Sequence, residues 1–317
     1  MNNNSDFSSE IASKDALFLE HILNILHKLE IDQEFTIKEI SFDTENCSDT
    51  IKLYEINSSE ISFIIKVGKK NNQDILDVKN FVESQYPELK NFLILPIIIE
   101  SYTEDQKNIS YNYQIMIKAP GRSVGQLFSD YLAGQLDANY LNNCYFKIGQ
   151  TIAKLHQTGN IDPSIPNFSE IKTCLLHNDL HDGNIFYDGH SIYLIDNAEI
   201  NQTINTPSSI GKDLKTILLQ TTYLPCLFIH SQLTETQLKE IADFTKSFLK
   251  GYASEFKNIE CSEYLSDIVK ETVDTVYHSS SNDSESPLFL NPEERLATTL
   301  NIIGESIETD YCAYTQQ

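Results

Sequence analysis

The segment "LLHNDLHDGNIFYDGHSIYLIDNAEI" (residues 175–200) places acids, amides and histidines at the ends of short apolar runs. Within it, "NIFYDGHSIYLID" has the pattern of a β-hairpin, because the Asp-Gly pair at 188–189 favours a tight turn and the flanking residues are apolar or β-prone. Folding this hairpin places Asn184 just before the first strand and Asp196 just after the second. Asp179 enters the same place from the preceding loop. The sequence therefore predicts that three polar side chains meet at the open end of a buried hairpin.

These side chains predict a cation site. Their ligand atoms are carboxylate and amide oxygens, which suit Mg²⁺ held together with phosphates rather than a soft metal. The six cysteines lie far apart, without a CxxC pair or a Cys/His cluster at zinc spacing. We interpret them as reduced, mostly buried thiols of a cytoplasmic protein, and we do not expect a zinc site.

The same segment resembles a known catalytic motif. "HNDLHDGNIF" followed by "YLID" is similar to the catalytic loop and metal-binding strand of the aminoglycoside phosphotransferase and choline kinase-like family, a branch of the protein-kinase-like fold. The spacing from His177 through Asp179 to Asn184 matches the family pattern in full. Four further stretches agree with it: "APGRSVGQL" (119–127), "KIGQTIAKLH" (147–156), Asp213-Leu214 and "FLKGY" (248–252). The resemblance covers about residues 35–255, and the combined pattern is more specific than any one motif.

The resemblance implies an α+β, bilobal protein-kinase-like fold. Residues 1–117 would form an N-terminal nucleotide-binding lobe, with a five-stranded antiparallel sheet and one helix, and residues 1–12 are expected to be disordered. Residues 118–317 would form a mostly helical catalytic and substrate lobe. Helical patterns in this second lobe cover about residues 140–159, 213–223, 236–256, 262–277 and 292–308.

The residue pattern of the first lobe agrees with this fold. β-rich runs separated by polar turns predict a three-stranded antiparallel meander over residues 35–67. A helix is predicted over about 74–84, followed by strands in "NFLILPIIIE" (91–100) and "YNYQIMIKA" (111–119). The preceding segment, 13–29, is too apolar for a surface helix, so we expect it to pack across the sheet.

The resemblance also assigns catalytic and metal-binding roles. Asp179 would accept or orient the proton of the substrate hydroxyl, while Asn184 and Asp196 would hold the magnesium ions that bridge the ATP phosphates. His181 stands where protein kinases use a lysine, and would contact the transferred phosphate. Such a site suits phosphoryl transfer, because positioning and charge neutralisation stabilise that transition state.

Nucleotide contacts are assigned in the same way. Lys66, in "FIIKV", stands at the position of the family's lysine that contacts the α- and β-phosphates, with Glu83 as its expected acidic partner and Asp77 as the substitute. The turn "FDTENCSDTI" lacks the glycine of many relatives, and Ser48 is its candidate phosphate donor. The segment Met116–Lys118 would bind adenine through backbone groups.

Several of these residues also have simpler structural interpretations. Lys66 has the pattern of an edge-strand lysine that prevents aggregation, and Glu83 that of an acid on an exposed helix face. We expect His177 to shape the catalytic loop through hydrogen bonds rather than act as a base. Asp213 should hold the backbone of that loop, and His156 should be a hydrogen-bonded core residue.

The charge of the chain restricts its partners. With 46 acidic and 23 basic residues the formal charge is −23, so duplex DNA and anionic membrane surfaces would be repelled. The N-terminus is polar and acidic, unlike a secretory signal, and the apolar stretches are too short to cross a bilayer. We therefore expect a cytoplasmic enzyme whose partner is a small cationic or neutral molecule, with neither nucleic acid nor membrane as partner.

Three functions remain open. The first is an ATP- and Mg²⁺-dependent kinase for a hydroxyl of an amino alcohol or aminosugar, and Asn178 in "HND" favours the choline or ethanolamine type over the "HGD" aminoglycoside type. The second is a protein-directed, effector-type kinase, although no activation segment ending in "APE" lies between Asp196 and Asp213. The third is a nucleotide-binding pseudokinase, suggested by the glycine-free turn and by Asn197 in place of an aromatic residue. The presence of every metal ligand argues against the third.

Overall fold

The computed structural model describes residues 16–28, 35–40, 50–68, 72–104, 109–158, 173–204, 207–217 and 233–255. The chain divides into two compact units. The first comprises Met1–Lys90 and Ile94–Ala119, and the second comprises Asn91–Leu93 and Pro120–Gln317. The boundary that we predicted, between 117 and 118, is close to the division after Ala119.

The first unit contains a five-stranded antiparallel sheet, as predicted. Its strands have the spatial order β1-β2-β3-β5-β4. They are β1 (Thr36–Glu39), β2 (Thr50–Asn57), β3 (Ser62–Gly68), β4 (Ile98–Glu104) and β5 (Ile109–Ile117). Helix α1 (Ala16–Lys28) precedes the sheet, and α2 (Asn72–Gln85) connects β3 to β4. The helix predicted over 74–84 is thereby confirmed.

The core of the first unit lies between α1 and one face of the sheet. Alternation along β3 places Phe63, Ile65 and Val67 in this core, whereas Ile64 and Lys66 lie half-buried on the opposite face. The core also includes Phe18, Leu19, Ile22, Leu26, Tyr54, Ile56, Tyr113 and Ile115. Each side chain buried in full contributes about 1.5–3 kcal/mol. The prediction that the N-terminal apolar helix packs across the sheet is confirmed.

The strand predicted over 91–100 begins later and ends later than expected. Pro87–Asn91 forms a 3₁₀ helix. The backbone N–H of Leu194 donates to the carbonyl of Phe92 at 2.7 Å, and only the short stretch Asn91–Leu93 belongs to the second unit. Pro96 has no N–H to donate to a sheet ladder, and β4 starts only at Ile98. The strand extends beyond its predicted end at residue 100, because its residues pair with β5 up to Glu104.

The second unit is mostly helical and carries two small sheets. Its described helices are α3 (Val124–Leu132), α4 (Ala138–Gln157), α5 (Pro207–Ile217) and α6 (Glu235–Ser254). Strands β6 (Arg122–Ser123), β8 (Ile185–Tyr187) and β9 (Ile192–Leu194) form one sheet, and β7 (Thr173–Leu176) pairs with β10 (Asn201–Ile204). The helices predicted over 262–277 and 292–308 lie outside the described residues. Within the described ranges, none of the helices is long and apolar enough to span a membrane.

Helices α4 and α6 begin at side-chain caps. The carboxylate of Asp137 accepts the backbone N–H of Asn139 at 2.7 Å at the start of α4. At the start of α6, the hydroxyl of Thr234 accepts the N–H of Gln237 at 3.2 Å, and the Gln237 side chain accepts the N–H of Thr234 at 3.0 Å. Such caps contribute about 1 kcal/mol each, because they satisfy N–H groups that have no partner inside the helix.

The same two helices pack closely through glycine. A Cβ atom added to Gly149 of α4 would clash with the backbone carbonyl of Phe248, and one added to Gly251 of α6 would clash with that of Phe146. The backbones thus approach to a distance that a larger residue does not permit. This packing fixes the position of α4, which carries His156 close to its C-terminal end.

Candidate active site

Strands β8 and β9 form the predicted hairpin. Ile185 pairs with Leu194 in antiparallel register. The connection is a four-residue loop, 188–191, rather than the two-residue turn expected from Asp-Gly. The longer loop is stable because the Asp188 carboxylate accepts the backbone N–H groups of His190 at 2.8 Å and Ser191 at 2.7 Å.

The open end of the hairpin brings Asn184 to Asp179. The N–H of Ile195 donates to the carbonyl of Asn184 at 3.0 Å, which closes the end of the ladder one residue before Asp196. The side-chain nitrogen of Asn184 donates to the carbonyl of Asp179 at 2.9 Å and to its carboxylate at 3.0 Å. Because both contacts use the amide nitrogen, the amide oxygen is the atom available to a cation.

The chemistry of these side chains fits a magnesium ion. The amide oxygen of Asn184 and the carboxylate of Asp196 are hard oxygen donors, and Mg²⁺ is typically bound by one or two protein oxygens together with substrate phosphates. Across the part of the chain that the structure describes, no group of three or more His, Cys, Asp and Glu side chains is arranged to hold a metal ion.

Two site residues have left-handed backbone conformations. Asn178 has φ 67° and Asp196 has φ 58°. Non-glycine residues avoid this region because the side chain crowds the backbone, although Asn and Asp tolerate it better than others. The conformation gives a physical reason for an Asn immediately before Asp179. It also makes Asp196 a residue that its surroundings must hold in place.

Asp213 holds the backbone of the catalytic loop, as predicted. Its buried carboxylate accepts the N–H of His177 at 2.7 Å and the N–H of Asn178 at 2.8 Å. Burial alone would raise the pKa of Asp213, but the hydrogen bonds from the His156 side chain and from the His177 backbone outweigh it, so the pKa lies below its usual range. The carboxylate therefore remains charged and retains both contacts.

His156 is a hydrogen-bonded core residue, as expected. Its ring is fully buried, and Nε2 donates to the Asp213 carboxylate at 3.3 Å. The hydroxyl of Tyr252, in α6, forms a hydrogen bond with Nδ1 at 2.9 Å. Both ring nitrogens are thus used, and a chain of contacts runs from α6 through α4 to the catalytic loop.

His177 shapes the loop rather than acting as a base, as predicted. Its Nε2 donates to the carbonyl of Ile195 at 3.1 Å, and Nδ1 accepts the N–H of Asp179 at 3.4 Å. This pattern requires the neutral ring, and burial lowers the pKa of His177 accordingly. The imidazole therefore links the loop that carries Asp179 to the residue preceding Asp196.

His181 lies beside the carboxylate of Asp179. Its Nε2 is 4.0 Å from an Asp179 oxygen, and Nδ1 accepts the N–H of Gly183 at 3.1 Å. The nearby carboxylate of Asp182, 3.8 Å from Nδ1, raises the pKa of His181, with further contributions from Asp179 and Asp196, against the opposing effect of burial. The predicted contact between His181 and a transferred phosphate stays a prediction.

The nucleotide-binding residues predicted in the first unit are only partly described. Lys66 lies in β3, in register with Gln114 of β5. Glu83 lies in α2 and forms an ion pair with Lys90 at 3.2 Å, whereas Asp77 accepts the Gln73 side chain at 2.7 Å. Pairing of Lys66 with either acid stays a prediction. Ser48 lies outside the described residues.

The predicted adenine-binding segment ends β5. Met116 is buried. The backbone N–H of Lys118 donates to the carbonyl of Ser62 at 2.9 Å, so this N–H is already part of the hydrogen bonding between β5 and β3. Because backbone groups alternate along a strand, those of Ile117 point away from β3. Binding of adenine by this segment stays a prediction.

The sequence did not reveal what the side chain of Asn178 contacts. Its amide nitrogen donates to the carbonyl of Glu199 at 2.8 Å, and its oxygen accepts the ammonium group of Lys212 at 3.0 Å. Asn178 was interpreted only as an indicator of acceptor type. Its position immediately before Asp179, where a left-handed residue is needed, is the signal that pointed to a structural role.

Solved structures with the same fold include choline kinase from Cryptosporidium parvum Iowa II, at TM-score 0.50 and 13% identity, with 92% of this chain and 97% of that chain covered. A spectinomycin phosphotransferase in complex with ADP and spectinomycin has TM-score 0.44 and 14% identity, over 89% and 93% of the two chains. An aminoglycoside-3'-phosphotransferase of type VIII has TM-score 0.44 and 11% identity, over 90% and 98%. No protein-family model and no curated protein matches the sequence. The chain has the protein-kinase-like fold of choline kinase, which confirms the fold predicted from the motif at 177–184.

Proposed function

We propose that this protein is an ATP- and Mg²⁺-dependent phosphotransferase that moves the γ-phosphate to a hydroxyl of a small cationic molecule of the amino alcohol or aminosugar type. The contact between the Asn184 amide and the Asp179 carboxylate supports this most directly. Through the amide nitrogen, this contact places the amide oxygen, which would hold the metal, beside a carboxylate that is able to orient a hydroxyl, in a chain with the choline kinase fold.

In this proposal Asp179 orients the acceptor hydroxyl and accepts its proton. One oxygen of its carboxylate accepts a hydrogen bond from Asn184. Because the carboxylate is only partly buried, it remains accessible to a substrate. His181, beside the same carboxylate, stabilises charge on the transferred phosphoryl group. Positioning of this kind is the main contribution of protein groups to phosphoryl transfer.

The amide oxygen of Asn184 and the carboxylate of Asp196 would hold magnesium. When bound, the metal neutralises the charge of the β- and γ-phosphates. The contacts of His177 with Ile195 and of Ile195 with Asn184 fix the backbone that carries both ligands. We assign Lys66 to the α- and β-phosphates, as the resemblance implies.

The acceptor is assigned to the cationic class from two observations. The formal charge of −23 attracts cations to the protein surface. The solved structure of similar fold that has the highest TM-score given above is a choline kinase, and Asn178 stands where the choline type has Asn. We place the reaction in the cytoplasm, because Cys144 and Cys174 are free, buried thiols, and burial raises the pKa of Cys174 to about 12.

Incubation with Mg·ATP and an acceptor panel tests this function. The panel contains choline, ethanolamine, aminoglycosides, neutral sugars and a generic protein substrate. We expect transfer to a cationic small molecule, and its loss by at least about 100-fold in D179N, because general-base assistance alone contributes about 10²–10⁴-fold. The control is D243N, which removes an exposed acid paired with Lys246 in α6.

The other outcomes of this experiment decide between functions. Equal transfer by wild type and D179N would contradict the catalytic assignment. Transfer to the protein substrate but not to small molecules would indicate the protein-directed kinase. Binding of Mg·ATP without any transfer would indicate the pseudokinase.

A further inference from the structure

Asn178 connects three segments of the second unit. Its backbone N–H donates to Asp213 at 2.8 Å, while its side-chain nitrogen donates to the carbonyl of Glu199 at 2.8 Å. The side-chain oxygen accepts the Lys212 ammonium group at 3.0 Å. Since an amide oxygen is an acceptor and an amide nitrogen a donor, the Lys212 contact orients the side chain so that the nitrogen faces Glu199.

The two residues before Asp179 hold the backbone on both sides of Asp196. His177 donates to the carbonyl of Ile195 at 3.1 Å, one residue before Asp196. Asn178 donates to the carbonyl of Glu199, three residues after it. Consecutive side chains of the catalytic loop thus contact both ends of the short segment 195–199.

Asp196 needs such support. Its φ of 58° and ψ of 50° are unfavourable for a residue with a side chain. It also precedes the 3₁₀ helix Asn197–Glu199 without forming a side-chain cap. External contacts must therefore hold the segment in the conformation that directs the carboxylate of Asp196, and the contact from Asn178 to the last residue of that helix does so.

We propose that Asn178 is a positioning residue that holds the 195–199 segment and thereby fixes the magnesium-binding carboxylate of Asp196 relative to Asp179. This inference rests on the proposed function of the same site. Glycine would allow the same left-handed backbone at position 178 but would lack the amide, so the N178G variant would lose the contact with Glu199. Lys212 acts through Asn178 by orienting its amide.

The first test needs no metal. Amide hydrogen exchange of residues 195–200 is compared between wild type, N178G and N143A, all without nucleotide or Mg²⁺. Asn143 is the matched control, because its amide donates to the hydroxyl of Tyr187 at 2.6 Å at the other end of the hairpin. We expect exchange in 195–200 to become about five- to tenfold faster in N178G, the effect of losing one hydrogen bond, and to be unchanged in N143A. Unchanged exchange in N178G would overturn the inference.

The second test measures magnesium affinity by calorimetry in the presence of saturating ADP. Loss of a residue that orients a metal ligand typically weakens metal binding by about 10–100-fold. We therefore expect N178G to bind magnesium more weakly than wild type by that factor, while its affinity for ADP in EDTA stays unchanged. If N178G binds magnesium with wild-type affinity, this inference is overturned, while the proposed function is not. Absence of magnesium-dependent ADP binding in wild type would overturn the proposed function and this inference together.

K212M provides a second variant on an exposed side chain. Because Met neither donates to nor repels the amide, we expect faster exchange in 195–200 and weaker magnesium binding than in wild type, both to a smaller extent than in N178G. If N178G does not fold, K212M decides in the same two assays. Wild-type values for K212M in both would then overturn the inference.

Discussion

The carboxylate of Asp213 accepts the backbone N–H of Asn178 at 2.8 Å, although the two residues are 35 positions apart. The same carboxylate accepts a second hydrogen bond, from the backbone N–H of His177. One side chain therefore holds the backbone that leads into Asp179 in place. The group is almost completely buried, so its charge is compensated by these donors and by His156. Replacement of Asp213 should therefore affect stability first and activity through it.

D213A should destabilise the protein by about 3–5 kcal/mol, because removal of one member of a buried, hydrogen-bonded charge group leaves its partners without compensation. The free energy of unfolding from urea titration measures the effect. The matched variant D243A lies on an exposed face of α6 and should stay within about 0.5 kcal/mol of wild type. A loss below about 1 kcal/mol in D213A would contradict the role given to Asp213.

Low pH should reduce the stability that Asp213 gives to the folded protein, and it should do so in a defined pH range. The pKa of Asp213 in the folded protein lies below the unfolded value of about 3.9, so the stability that it provides is complete above that value and is lost as pH falls through the folded pKa. The difference in Tm between wild type and D213N should thus be constant above about pH 5 and shrink below about pH 4. A difference that grows in acid would contradict the direction of the shift.

G251A should destabilise the packing of α4 against α6. On an exposed helix face, Gly to Ala would stabilise by about 1 kcal/mol, but here the added Cβ meets the backbone carbonyl of Phe146, which no side-chain rotation relieves. We expect a loss of about 3 kcal/mol or more in urea titration, the upper end of what overpacking typically costs. K250A, on the exposed neighbour, is the control. Increased stability of G251A would contradict the close approach of the helices.

D196G should leave stability unchanged within about 1 kcal/mol or raise it. Glycine adopts the φ of 58° without the cost of about 1–2 kcal/mol that a side chain incurs there. D243G, in the middle of α6, should instead lose about 1 kcal/mol, because glycine lowers helix propensity. Thermal unfolding of both variants measures the contrast. A loss in D196G larger than that in D243G would show that the left-handed conformation is not strained.

Local pattern was sufficient for β3 in the first unit. The run "ISFIIKV" was predicted as a strand from its β-prone residues, and the period of two then separates Phe63, Ile65 and Val67, which face the core, from Lys66 on the other face. The start of β4 was not predictable from such a pattern. The carbonyl of Phe92 accepts a hydrogen bond from the backbone N–H of Leu194 in the second unit. Because of this long-range contact, the first part of the apolar stretch does not belong to β4.

In the candidate site, too, some features follow from the local sequence pattern and others depend on long-range contacts. The hairpin followed from residue spacing, and it places Asn184 beside Ile195, the residue before Asp196, because a β-hairpin returns the chain to its own starting point. The contact of Asn184 with Asp179 lies in the loop that precedes the hairpin. The bond from Asn178 to Glu199 depends on a left-handed residue and on the position of a short helix, and neither leaves a periodic pattern. The loop at 188–191 was longer than expected because the Asp188 side chain stabilises it.

Calorimetric titration of ADP, with Mg²⁺ and with EDTA, tests the central claim most directly. In wild type and in D243N, Mg²⁺ should tighten ADP binding by at least about tenfold, because Asn184 and Asp196 would hold the ion together with the phosphates. In D196G, which removes the ligand and keeps the left-handed backbone, this magnesium-dependent gain should disappear, while the affinity measured in EDTA stays the same. Equal gains in D196G and wild type would contradict the account.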